Sequence, residues 1–155
     1  MPSASPAEPW HEGRPAHTSD QRWTLSAVPP RIDSVPCVRR HARDVVHLWG
    51  IDEVTAELEL LLTELVANAV EHARTTFTVS LTWRGWQLRC EVSDAVPVLP
   101  QPQLTPDGTR TSGRGFLLVD TLSSGWGVDM HDDGKTVWFT LPVRRTPRAA
   151  PSAGD

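Results

Sequence analysis

Between Leu58 and Ala73 the chain places Leu58, Leu61, Leu62, Leu65, Ala69 and Ala73 at intervals of three and four residues. At about 100° per residue these side chains share one broad helical face, so the segment must fold as a helix with that face against a core. The same helix carries Glu57, Glu64, Asn68 and His72 along one edge of the apolar face. Glu64 and Asn68 are i,i+4 neighbours, as are Asn68 and His72, so they stand one above the other. One reading of such an edge is simply the line where helix meets water. Asn is a poor helix former, however, and its place between Leu65 and Ala69 asks for a reason. An amide oxygen is a hard, neutral ligand suited to Mg²⁺, and a carboxylate one turn away can accept a proton from an attacking hydroxyl. The pair suits phosphoryl transfer, but alone it does not establish it.

The surrounding pattern predicts one domain over residues 22–143, flanked by disordered tails at 1–21 and 144–155 that are rich in Pro, Ala and Ser. "RWTLSAV" alternates and predicts a strand. Residues 32–49 carry Val38, Ala42, Val45, Val46 and Trp49 at helical spacing, with Asp33 or Ser34 as N-cap and Gly50 as stop. The second helix is expected over 52–72. "TFTVSLTW" and "WQLRCEVS" alternate around an Arg84-Gly85 turn. Residues 94–115 are too rich in Pro, Gly and Thr for regular structure, and a loop that long in a small domain is usually functional or disordered. A short helix, "FLLVDTLS", and two strands, "WGVDMH" and "KTVWFTLP", follow. The expected class is α+β: a two-layer sandwich of a mixed, mostly antiparallel sheet with helices on one face.

Composition narrows the function. The net charge is −4 and the basic residues are scattered, which argues against direct nucleic-acid binding. No run is long and apolar enough for a membrane span, and the first residues lack the pattern of a secretory signal. Cys37 and Cys90 fit no metal spacing, so a reduced, cytoplasmic setting is expected. Of the 15 basic residues only one, Lys135, is lysine.

Two further segments bear chemistry. Asp94 follows a strand among Val92, Val96 and Val98; it is either a turn residue or a buried carboxylate matched to a ligand amine. Gly113-Arg114-Gly115 precedes a helix, where backbone N–H groups can approach a phosphate.

Taken in order, "TELVANAVEHA", "EVSDAVPVLP" and "GRGFLLVDTLSSGWGVDMHDDGKTVWFTLP" resemble the ATP-binding domain shared by gyrase, heat-shock chaperones, histidine kinases and mismatch-repair ATPases. More narrowly, they resemble the small anti-sigma-factor serine/threonine kinases and their stand-alone bacterial relatives. The resemblance spans about residues 22–141 and implies the Bergerat-type ATP-binding fold. It implies ATP and Mg²⁺ as cofactors, with Asn68 as the Mg²⁺ ligand and Glu64 as general base or orienter of the nucleophile. Asp94 would hold the adenine amine, and Thr136 would support Asp94 from the adenine end. Gly113, Arg114 and Gly115 would wrap the phosphates next to a lid at 99–112, with Phe116 beside them. His72 would stand at the site edge. Lys135 is expected to serve solvation or the turn, and Trp126 and Trp138 the core. The usual Asp-x-Gly-x-Gly reads "DAVPV" here, which reshapes the expected adenine pocket.

The resemblance implies a kinase that phosphorylates an anti-anti-sigma partner and sequesters a sigma factor, with homodimerisation as in relatives. The chain shows no dimerisation and phospho-acceptor helix ahead of the domain, unlike a two-component sensor kinase. Two other functions stay open: a nucleotide-dependent interaction module without catalysis, and a degenerate fold that binds partners only.

Overall fold

The computed structural model describes residues 20–98 and 119–144. Strand β1 (Gln21–Val28) leads into helix α1 (Ser34–Leu48). A single 3₁₀ turn (Asp52–Val54) opens helix α2 (Thr55–Asn68), which closes in a π-helical turn (Ala69–Ala73). Strands β2 (Phe77–Trp83), β3 (Gln87–Asp94), β4 (Gly125–His131) and β5 (Gly134–Pro142) follow. The expected order of elements holds across the described residues, including a helical turn at 119–122 within the expected "FLLVDTLS" helix.

The five strands form one sheet in the order β1-β2-β3-β5-β4. The sheet was expected to be mixed and mostly antiparallel; each of its four pairings among the described residues is antiparallel. Alternation explains how it finds its partner layer. The registers Leu25–Val79, Val79–Val92, Leu81–Cys90, Cys90–Phe139 and Leu88–Leu141 line up one apolar face. Against it α1 buries Val38, Ala42 and Val46, and α2 buries Leu58, Leu61, Leu62 and Leu65. An Arg43–Glu59 ion pair ties the two helices together.

The opposite face is polar, with Thr24, Ser80, Arg89, Glu91, Ser93 and Thr136. Trp138 also belongs to that face and not to the core between the layers. It is buried all the same, beneath the Arg89 guanidinium at 4.3 Å from the ring centre. A Cβ on Gly127 would come within 2.8 Å of the Trp138 ring, so glycine is what allows β4 to lie flat there. Trp126 packs on the core and donates its indole N–H to Asp120 at 3.1 Å.

Local chemistry sets the helix ends. Asp33 is the N-cap of α1, but its side chain pairs with Arg31 at 3.1 Å and makes no cap bond. Ser34 Oγ donates to the Pro29 carbonyl at 2.7 Å instead. Gly50, at φ +73°, turns the chain out of α1 as expected of a C-terminal glycine. Among the described residues, no helix is long and apolar enough to cross a membrane.

Candidate functional site

The polar edge of α2 stands where its spacing puts it. Glu64 and Asn68 are half-buried between the fully buried Leu61–Leu65 stripe and the surface. Neither side chain is engaged in a hydrogen bond or ion pair with another described residue, so both heads are available. Asn68 is the last α-helical residue. The π turn begins at Ala69 and carries His72, and single π turns inside helices recur at functional sites. Arg74 ends the turn in the left-handed region, at φ +52°. Among the described residues His72 Nε2 is buried without a hydrogen-bond partner, and a carboxylate oxygen of Glu71 lies 3.6 Å away. Buried polar atoms are normally paired, so an orphaned ring nitrogen at a helix's polar edge marks a place where a ligand or water can bond. The π turn touches β3, the strand that ends in Asp94.

Asp94 is the last residue of β3, on the core side of the sheet, and its side chain is only 4% exposed. It is not a vacant acceptor. Lys135 stands directly opposite on β5, with Nζ 3.0 Å from Oδ2 and 3.1 Å from Oδ1. Oδ1 also accepts the Val96 N–H at 2.8 Å. Lys135 is itself buried and donates to the Val96 carbonyl at 3.2 Å. The expectation that Lys135 serves solvation or the turn is therefore overturned: it neutralises a buried carboxylate.

Thr136, expected to support Asp94 from the adenine end, is the next residue of β5. Successive residues of a strand point to opposite faces, so Thr136 lies on the outer face while Lys135 takes the core side. Thr136 shares hydrogen bonds with Ser93 at 2.8 Å and with His131 at 3.1 Å, and makes none with Asp94. Gly113, Arg114, Gly115, Phe116 and the expected lid at 99–112 lie outside the described residues.

The donor set suits Mg²⁺ only in the company of phosphate oxygens. Asn68 offers one neutral oxygen, and Mg²⁺ keeps several waters and takes few protein ligands. No cluster of three or more His, Cys, Asp or Glu is placed to hold a metal among the described residues. For a base amine the fit is incomplete. A carboxylate has about four acceptor positions, and three on Asp94 are taken. Two surface pockets, one around Glu57 and Leu141 and one around Leu25 and His41, include none of these residues.

Lys135 is the partner of Asp94 that sequence reasoning missed. Its being the sole lysine was the visible signal; its partner, 41 positions away, needed the β3–β5 register.

A solved structure shares this fold, and two others align with it more loosely. The RsbU and RsbW domains of Rv1364c from Mycobacterium tuberculosis match with a TM-score of 0.60 at 22% identity, over 84% of this chain and 34% of that one. The chain thus spans about a third of that structure's length. The histidine kinase domain of the Erythrobacter litoralis EL346 blue-light activated histidine kinase aligns at 22% identity and a TM-score of 0.46, over 72% of this chain and 60% of that one. The histidine kinase domain of the E. coli osmosensor EnvZ aligns at 20% identity and a TM-score of 0.43, over 65% and 72%. No curated protein matches the sequence. Residues 28–141, which take in both helices and strands β2 to β5 up to Leu141, match the model of the histidine kinase-like ATPase domain, and the chain belongs to that family.

Proposed function

We propose that this domain binds ATP with Mg²⁺ and acts as an anti-sigma-type serine/threonine kinase on a small anti-anti-sigma protein, in the cytoplasm. The observation that carries this reading is the Glu64–Asn68 pair, two polar heads one turn apart beside the buried stripe of α2 and unengaged among the described residues. Family membership and the fold shared with an RsbW-containing structure support it. In this reading Asn68 and His72 bind at the phosphate end. Glu64 accepts the proton of the partner's hydroxyl, which general-base catalysis makes worth about 10²- to 10⁴-fold. Mg²⁺, when bound, would neutralise charge on the phosphates. Gly113, Arg114, Gly115 and Phe116 would complete phosphate binding.

Calorimetric titration of ATP with and without Mg²⁺, on wild type and on Asn68→Ala, tests the binding half. Magnesium-dependent binding that Asn68→Ala abolishes supports it; equal binding by both proteins sinks it. For the catalytic half, Glu64→Ala should keep ATP binding and lose phosphate transfer to the partner.

A second reading is favoured by the Asp94–Lys135 pair, which holds a base-binding carboxylate closed. The domain would then bind partners without nucleotide, and neither wild type nor Asn68→Ala would bind ATP.

A further inference from the structure

The core side of the β3–β5 ladder runs Leu88–Leu141, Cys90–Phe139 and Val92–Val137, and then stops at Asp94–Lys135. A charge pair at the end of an apolar ladder needs an account. Exposed ion pairs hold little and are easily exchanged. This one is 7% exposed on the lysine side and 4% on the aspartate side. Its contacts among the described residues are few. The ammonium has three protons and makes three contacts, to both Asp94 oxygens and to the Val96 carbonyl. The carboxylate takes those two and the Val96 N–H.

We propose that Lys135 is an intramolecular competitor at this site: its ε-ammonium occupies the acceptor atoms of Asp94 that a nucleotide base would use through its exocyclic amine, and a bound base displaces it. The inference rests on the nucleotide-binding reading above. It concerns what sets the affinity of the site.

The chemistry allows displacement. Lysine carries its charge on a flexible four-carbon stem, unlike the rigid fork of arginine. Asp132 and Asp133 stand exposed in the β4–β5 turn just ahead of it, so a displaced ammonium meets solvent and carboxylates. The Asp94 carboxylate does not lose its donor, since an amine replaces an ammonium. The exchange swaps a charged donor for a neutral one at a buried carboxylate, so part of the base's binding energy is spent on it. Lys135 thereby weakens nucleotide binding without abolishing it.

The experiment is ADP binding by wild type, Lys135→Met and Asp94→Asn. The expected result is that Lys135→Met binds about tenfold or more tightly than wild type, in keeping with one charged hydrogen-bonding competitor removed, and that Asp94→Asn binds weakly. Equal ADP affinity in wild type and Lys135→Met overturns the inference and leaves nucleotide binding standing. No ADP binding by either protein overturns both. Binding by the variant alone supports it.

Removing one partner of a buried pair can unfold a protein, so a measurement on the unaltered chain is paired with this. Lys135 is the one lysine of 155 residues, so ¹³C-lysine labelling gives a single ε-methylene signal. Saturating ADP should move that signal to the position of a solvent-exposed lysine. A signal that stays put at the highest ADP concentration overturns the inference.

Discussion

Gly134 holds the start of β5 against the end of β3. A side-chain carbon there would run into the Asp94 carbonyl oxygen and come within 3.0 Å of Ala95 Cα. Those neighbours are backbone and cannot swing aside. Gly134→Ala should cost about 1–3 kcal/mol, the range of overpacked sites. It would show as a lower urea midpoint with an unchanged slope; no change in midpoint would contradict the geometry. His47 offers a test of opposite character. Its ring nitrogen shares a hydrogen bond with Asp52 at 2.7 Å, which raises its pKa above the ordinary 6.5. A raised folded-state value means the pair stabilises fully below the unfolded pKa and loses that contribution as pH rises through the folded one. Both groups are exposed, so the effect is small and falls with salt. NMR titration should place the His47 midpoint above 6.5 in wild type and move it back in Asp52→Asn. At this scale the sequence was readable for identity and not for pairing. Glu64 and Asn68 could be placed because helical spacing is local. The direct partner of Asp94 is Lys135, one position before Thr136, and in a strand one residue changes the face.

The elements were read more fully than the side chains. Alternation is an unambiguous sign of a half-buried strand, and both β2 and β3 lie within a residue or two of their expected limits. What periodicity could not resolve is how α2 is wound. One helix was expected over 52–72; the chain instead passes from a 3₁₀ turn through an α-helix to a π turn. The three windings differ by a fraction of a residue per turn, and an apolar stripe a few residues long does not register the difference. The exit of the π turn carries a cost that can be measured. Arg74 sits at φ +52°, a region that costs a side-chain-bearing residue about 1–2 kcal/mol and glycine little. Arg74→Gly should therefore stabilise by up to about 1 kcal/mol, seen as a higher melting temperature, with the rest lost to the freer unfolded chain. A lower melting temperature would mean that the guanidinium makes a contact worth more than the strain. Residues 94–115 were read as a loop for a different reason: their Pro, Gly and Thr residues encode no period at all.

At the scale of the molecule the two layers share one core, and Phe139 and Cys90 sit at its centre with no exposure. Phe139→Ala should cost about 3–5 kcal/mol in a denaturant melt. Burial, with Glu91 beside it, pushes the Cys90 thiol far above its ordinary value, whereas Cys37 is partly exposed. A thiol reagent should accordingly modify Cys37 in the folded protein and reach Cys90 only on unfolding; early labelling of Cys90 would show that the sheet and helices separate readily. The fold class could be predicted because each apolar face announces itself; the strand order could not, since nothing local says that the last strand inserts beside β3. That insertion has a consequence for synthesis. During translation β1, α1, α2, β2 and β3 leave the ribosome first, and β3 then presents a bare row of amides and carbonyls on one side. Until residues 134–142 emerge, that open edge can pair with a neighbouring nascent chain. The strand that seals it also delivers Lys135 to Asp94. Closing the edge and silencing the carboxylate are one event in the life of the polypeptide.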